Sequence, residues 1–318
     1  MEQHTLGLSD IKITPVIMGT WQAGKQMWAG IDDGESMKAI RAAMDAGITT
    51  FDSAEVYGNG HSERIIGKAL KDVRDQVVYA TKVFANHLGY QQVIEACNRS
   101  LKNLQTDTID LFQIHWPAGS FGTKKVPFEE TMGAMNDLKK EGKIRAIGVS
   151  NFSRSQLEEA YSHGRIESLQ PPYSLFWRQV EKDAMPYCLE NDITILAYSS
   201  MAQGLLTGKF GADHRFAKGD HRAGNRLLQT ENMGRVLKAL NMLRPIAEQK
   251  GITLGQLALA WVCAQPQTCA IAGARTEEQV RQNAMAADIR LSAEDLKELD
   301  RIGSTVTDHL DDNPVMWR

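Results

Sequence analysis

Short apolar and β-branched runs recur near residues 15–18, 48–52, 77–82, 109–114, 144–149, 167–170, 193–198 and 269–272. The stretches between them carry apolar residues at the spacing of one helix face. Met37, Ile40 and Met44 share such a face, and Gly47 follows where a helix would stop. Val93, Cys97, Leu101 and Leu104 make a second stripe; Met132, Met135 and Leu138 make a third that ends before Gly142. Ser153-x-x-Gln156 and Thr276-x-x-Gln279 have the form of capping boxes, each opening a helix just after a strand. About eight strand–helix units result. Parallel strands need such crossovers, and eight of them close a barrel. The pattern predicts the α/β class, a (β/α)8 TIM barrel over a single domain, residues 1–318. Residues 2–14, alternating around Gly7 and Ser9-Asp10, predict an N-terminal β-hairpin plugging the barrel floor. Residues 292–302, beginning Ser-Ala-Glu-Asp, predict an extra C-terminal helix. Residues 203–228, rich in Gly, Lys, Arg and His, form a long loop after the seventh strand, read either as solvated or as a lid.

Composition narrows the partners. A net charge of -3 argues against nucleic acid, which needs a basic face. No apolar run approaches the ~18 residues of a membrane span, and Met1-Glu-Gln-His-Thr5 is not the start of a charged-then-apolar leader. Cys97, Cys188, Cys263 and Cys269 form no C-x-x-C pair and read as free thiols of a reducing compartment, which points to the cytoplasm. The eight histidines lack ligand spacing, so no metal is expected.

In a barrel of this kind chemistry gathers where the strands end at the C-terminal rim. The second strand ends in Asp52, the third in Lys82, the fourth in His115, the fifth in Ser150-Asn151, the sixth in Gln170 and the seventh in Tyr198; the eighth leads to Arg275. Singly, a strand-end lysine is usually solvated and a lone histidine usually a satisfied core residue. Seven consecutive polar strand ends are harder to dismiss. Asp52 and Lys82 would pair, and Tyr57, in the loop after Asp52, would lean over them. A phenol with a pKa near ~10 is a poor acid at neutral pH, and an adjacent ammonium is expected to lower it. With His115 orienting a carbonyl oxygen, this group would protonate a developing alkoxide, and would need a hydride from a nicotinamide or flavin.

The residues resemble the aldo-keto reductase family, and most closely its bacterial-type reductases that are also similar to potassium-channel β subunits. The matching segments run from Met18-Gly-Thr-Trp21 to Asn283. They include Phe51-Asp-Ser-Ala-Glu-Val-Tyr-Gly58, Ala80-Thr-Lys82, Gln113-Ile-His-Trp-Pro117, Gly142-Lys-Ile-Arg-Ala-Ile-Gly-Val-Ser-Asn-Phe152, Gln170-Pro-Pro-Tyr173 and Ala197-Tyr198-Ser199. The resemblance implies a catalytic tetrad of Asp52, Tyr57, Lys82 and His115, with Tyr57 the general acid. It implies that Ser150, Asn151 and Gln170 hold a nicotinamide carboxamide and that Tyr198 stacks on the ring, with Thr20, Trp21 and Asp52 also at the cofactor. Ser199, Met201, Gln203, Gly204 and Lys209 match the stretch along the pyrophosphate, and Gly273, Arg275, Thr276, Gln279 and Asn283 match the adenosine end. Arg275 near a helix N-terminus favours NADPH, with NADH the lesser alternative. The chain departs from the family at Tyr198-Ser-Ser-Met201, at Ala272 where proline is common, and at Gly273 where many members carry lysine.

Trp21, Trp28, Phe84 and Trp116 are expected to wall a substrate pocket suited to aromatic or medium aliphatic aldehydes. The implied partner is a small carbonyl compound; no nucleic acid, membrane insertion or obligate protein partner is implied. Two competing readings are a cofactor-binding regulatory subunit like the channel β subunits, and a Schiff-base aldolase with Lys82 as nucleophile.

Overall fold

A short antiparallel hairpin, β1 (His4–Thr5) and β2 (Lys12–Ile13), opens the chain. The repeat follows: β3 (Val16–Gly19), α1 (Asp33–Asp45), β4 (Thr50–Asp52), α2 (His61–Leu70), β5 (Val78–Val83), α3 (Tyr90–Leu104), β6 (Ile109–Ile114), α4 (Phe128–Lys140), β7 (Ile144–Ser150), α5 (Arg154–Ser162), β8 (Ser168–Gln170), α6 (Ala184–Glu190) and β9 (Thr194–Ala197). Then come α7 (Thr230–Gln249), α8 (Leu254–Cys263), β10 (Thr268–Gly273), α9 (Glu277–Met285) and α10 (Ala293–Thr307). The eight strands β3–β10 are parallel and close on themselves, β10 pairing with both β9 and β3. The fold is therefore a (β/α)8 barrel with the hairpin and the C-terminal helix in the predicted places. This computed structural model describes residues 1–28, 30–311 and 313; the ends of the expected 1–318 domain beyond these, and residue 29, lie outside the described residues.

Three local expectations need correction. The unit between β9 and β10 contains two helices, and the first, α7, was not anticipated; Met233, Val236, Leu240 and Leu243 bury its inner face despite Pro245 within it. Helix α10 runs on to Thr307, past residue 302. At α9 the capping box is not reciprocal: the Thr276 hydroxyl accepts from Gln279 N, but Gln279 Oε1 accepts from Arg275 N at 2.8 Å instead of from Thr276. At α5 both halves of the Ser153–Gln156 box form.

The barrel interior is layered. At the floor Ile17, Val78, Leu111, Ala146 and Leu196 pack with Leu6, Ile11 and Ile13 of the hairpin segment, so apolar side chains stopper the end away from the rim. The hairpin is pinned by Gly7 N donating to Thr194 Oγ1 (2.8 Å) and Leu8 N to Glu167 Oε2 (2.9 Å). Above this layer the inward positions turn polar, with Lys82 beside Gln113 and Ser150 beside Gln170 across the ladder. Gly148 makes room for Gln113. A Cβ there would lie 2.4 Å from Ser168 Oγ and 2.9 Å from Gln113 Cγ, inside contact distance.

Cys97, Cys188 and Cys269 are buried, Cys263 partly so, and all four are free. Burial pushes the Cys97, Cys188 and Cys263 thiols up to about 12, so they stay protonated and unreactive. Among the described residues no helix is long and apolar enough to cross a membrane.

Gly148→Ala is expected to destabilise the fold by about 1–3 kcal/mol through overpacking. Adding Ser168→Ala, which removes the nearest atom, should recover part of that loss in a denaturant titration; no recovery would locate the strain elsewhere.

Candidate active site

At the C-terminal ends of the strands lies a cleft of about 1020 Å³. Every strand-end and pocket residue singled out from the sequence lines it except two. Lys82 sits beneath the floor with 0% of its surface exposed, and Thr276 is occupied in capping α9.

The floor is built around Asp52. Lys82 Nζ donates to Asp52 Oδ1 at 2.7 Å and to the Ser53 carbonyl at 2.5 Å. Asp52 Oδ2 accepts from Gln170 Nε2 at 2.9 Å and from Gln113 Nε2 at 3.3 Å, and Gln170 Nε2 also reaches Gln113 Oε1 at 3.3 Å. A buried charge pair is tolerable only when its remaining donors and acceptors are met, and the two glutamines do this for the carboxylate. Gln113 was not singled out from the sequence. The signal was present: it alternates with Leu111 and His115, so it shares their inward face. On the other side Thr20, Ser53 and Ser62 link hydroxyls, Thr20 Oγ1 bonding the Asp52 carbonyl at 2.9 Å and Ser62 Oγ at 2.7 Å.

Tyr57 lies over this pair, with Lys82 Nζ 5.1 Å from its ring centroid, and meets His115 edge-on at 5.7 Å. The expectation that Lys82 lowers the Tyr57 pKa is reversed. Burial lifts the phenol well above the ordinary tyrosine range, and the neighbouring Asp52 and Tyr198 add to the effect. The ammonium is already committed to Asp52 and Ser53, and cannot offset desolvation. The same burial draws Lys82 below the ordinary lysine range, opposed by Asp52. A nucleophilic Lys82, as an aldolase requires, is disfavoured by the ion pair and by its complete burial. Burial, with Lys82 nearby, holds His115 well below the usual histidine range, so it is neutral. Its Nδ1 is buried without a partner, leaving Nε2 as the nitrogen toward the cleft.

The next strand ends form a second network. Ser150 Oγ donates to the Gln170 carbonyl at 2.7 Å, Asn151 Nδ2 to the His115 carbonyl at 3.0 Å, and Tyr198 OH to Asn151 Oδ1 at 2.8 Å. Asn151 adopts a left-handed backbone, φ 62. Farther along, Ser199, Ala202, Gln203 and Gly204 all have positive φ, and Asn225 Nδ2 donates to Gln203 Oε1 at 3.0 Å. Arg275 and Gln279 flank the N-terminus of α9, and Asn283 Nδ2 donates to the Gly273 carbonyl at 3.3 Å. At Gly273 a Cβ would fall 2.7 Å from Gln22 Nε2, which holds the Ala274 carbonyl at 2.9 Å.

The 203–228 loop divides. Residues 211–215 are exposed, but His221 and Arg222 reach the cleft. The His221 ring packs 4.2 Å from Trp21 and 4.5 Å from Trp28, and Nδ1 donates to the Met27 carbonyl at 3.3 Å. Arg222, paired with Asp220, lies 5.0 Å over Trp28. Of the two readings of this loop, solvated or lid, these two residues fit a segment that reaches over the cleft. Trp21, Trp28, Phe84 and Trp116 all line it as expected, with Phe121 added.

The profile of the Aldo/keto reductase family matches residues 15–304. The chain belongs to that family. Among curated proteins this reductase is similar to the aldo-keto reductase YhdN of Bacillus subtilis, 39% identical over 97% of this chain and 96% of the relative. It is similar to the NADH-specific methylglyoxal reductase of Escherichia coli, 35% identical over 93% and 96%. Among solved structures it is similar to the glycerol dehydrogenase of Gluconobacter oxydans, with TM-score 0.88 and 34% identity over 98% and 97% of the two chains. The reductase is accordingly an oxidoreductase acting on carbonyl compounds with a nicotinamide nucleotide.

The directions at His115 and Tyr57 fix a pH expectation for this reductase. If the carbonyl oxygen takes a hydrogen bond from His115 and a proton from Tyr57, reduction needs His115 neutral and Tyr57 protonated. His115 lies below its ordinary value and Tyr57 above, so kcat/KM for reduction should show no inflection near about pH 6.5, and any fall at alkaline pH should come from Lys82 before Tyr57. An inflection near the ordinary histidine value that disappears in His115→Gln would contradict this.

Proposed function

We propose that the protein reduces aldehydes and ketones to alcohols with NADPH, using Tyr57 as the general acid. The observation that carries this is the convergence of Tyr57 and neutral His115 above the buried Lys82–Asp52 pair, at the floor of the cleft.

A dinucleotide fits the residues present. The cleft volume reaches the upper end of the range for drug-sized ligands, more than a small carbonyl needs. Gln203 Nε2 is a buried donor left without a partner at its wall. Gln170 turns its amide nitrogen to Asp52, leaving Oε1 for a carboxamide; Ser150 and Asn151 complete that set, with Tyr198 beside it. Thr20, Trp21 and Asp52 border the same end. Ser199, Met201, Gln203, Gly204 and Lys209 would follow the pyrophosphate. Gly273, Arg275, Gln279 and Asn283 would take the adenosine end, with Thr276 acting through its cap on α9.

When bound, the reduced nicotinamide supplies the hydride to the carbonyl carbon. The chain's own residues handle the oxygen. His115 Nε2–H donates a hydrogen bond to it and fixes its direction. Tyr57 O–H gives it the proton, so that hydride and proton together make the alcohol. The phenolate left behind is stabilised by the Lys82 ammonium, which Asp52 keeps charged and aimed. Burial that keeps Tyr57 protonated at rest suits a proton donor, and Lys82 matters most once the phenol oxygen carries charge.

Tyr57→Phe should lower kcat by about 10²–10⁴-fold while the dissociation constant for NADPH, read by fluorescence, stays within about twofold; near-normal turnover would sink the assignment. The NADPH preference is supported by the Arg275 guanidinium at the start of α9. Arg275→Ala should weaken NADPH by about 10–100-fold, the worth of one charge-assisted contact, and NADH far less. Equal losses in a titration of both would remove Arg275 from the 2′-phosphate.

A further inference from the structure

Two lines of aromatic rings diverge from the corner where Tyr57 meets His115. On one side Phe84 stands edge-on to His115 at 5.6 Å, stacks on Phe121 at 5.7 Å and 16°, and Phe121 meets Trp116 edge-on at 5.0 Å. On the other side Trp21 stacks on Tyr57 at 5.9 Å and 26° and meets Trp28 edge-on at 5.5 Å. The result is a slot lined by rings on two sides, with Tyr57 and His115 where the two lines meet.

Each wall ends in an apolar side chain that stays largely exposed. Phe121 is 66% exposed and Met27, next to Trp28, is 56% exposed, and both line the cleft. Both also hold left-handed backbone, φ 56 and φ 64, a region disfavoured for residues with a Cβ. Phe121 stands there between Gly119 (φ 89) and Gly122 (φ 74), so the whole turn is bent to present the ring. An exposed side chain gains little from burial, and strain at such a position points to function.

We propose that Phe121 and Met27 are the specificity-determining outer jaws of the slot, and that it selects carbonyl compounds bearing a flat apolar tail. A fused-ring aryl aldehyde would place its carbonyl at Tyr57 and His115 and its rings between the two walls. Small polar carbonyls such as methylglyoxal would touch Tyr57 and His115 alone and leave the jaws unused. This rests on the reductase reading above and adds the substrate class to it.

The test is competition between 2-naphthaldehyde and methylglyoxal in one NADPH reaction, giving the ratio of their kcat/KM values. The wild-type ratio should favour 2-naphthaldehyde by at least about tenfold, and Phe121→Ala or Met27→Ala should each lower that ratio by about three- to tenfold, as expected for losing a stacked or apolar contact. Phe121→Trp, which keeps a ring, should hold the ratio. If Phe121→Ala does not fold, Phe121→Asn, which tolerates left-handed backbone, replaces it. A wild-type preference for methylglyoxal, or a ratio unmoved in the alanine variants, overturns the jaws and leaves the reductase reading intact. Failure of the wild type to reduce either carbonyl overturns both.

Discussion

The site depends on one buried charge pair. Taking the Lys82 ammonium and the Asp52 carboxylate out of water is costly, and their attraction offsets the cost only if every remaining donor and acceptor is satisfied. The barrel supplies most of these partners from several strands at once. β4 brings Asp52 and leads to the Ser53 carbonyl, β5 brings Lys82, β6 brings Gln113 and β8 brings Gln170. Gly148 on β7 contributes by having no side chain, which leaves room for Gln113. The tilt and register that close the barrel are thus the same facts that hold the pair together.

From this pair the environments of the other two groups follow. Tyr57 and His115 sit where water is scarce, and scarcity favours their neutral forms, one protonated and one unprotonated. Both states are those the proposed proton transfer to a carbonyl oxygen would need. A fixed ammonium under the ring is then worth more after the transfer than before it. Under the proposed mechanism such an arrangement would stabilise the transition state selectively, because the charge it answers does not exist in the ground state.

Much of this was legible in the chain. The eight apolar runs fell on the eight barrel strands because a strand buried on both faces reads as a continuous run. Asp52, His115, Gln170 and Tyr198 stood out as polar residues closing those runs. Gln113 did not, because it lies inside its run, where a polar residue looks like an exception and not an end. Helix α7 was hidden by Pro245 and by charges between its buried positions. The direction of the Tyr57 shift was misjudged because sequence supplies the neighbour, Lys82, but not the depth, nor the fact that Asp52 and Ser53 already occupy it. Left-handed backbone at Met27 and Phe121 has no sequence marker, since neither residue type favours it.

The hairpin at the opposite end has a consequence for exchange with solvent. Leu6, Ile11 and Ile13 seat on the lower apolar layer and make the barrel a vessel with a sealed base. Protons, water, nucleotide and carbonyl compound must then share the mouth. A nucleotide lying across that mouth would separate Tyr57 from bulk water, so the phenol would regain its proton only as the mouth reopened. Under the proposed mechanism, turnover and proton resupply would become one cycle, timed by whatever leaves the mouth last.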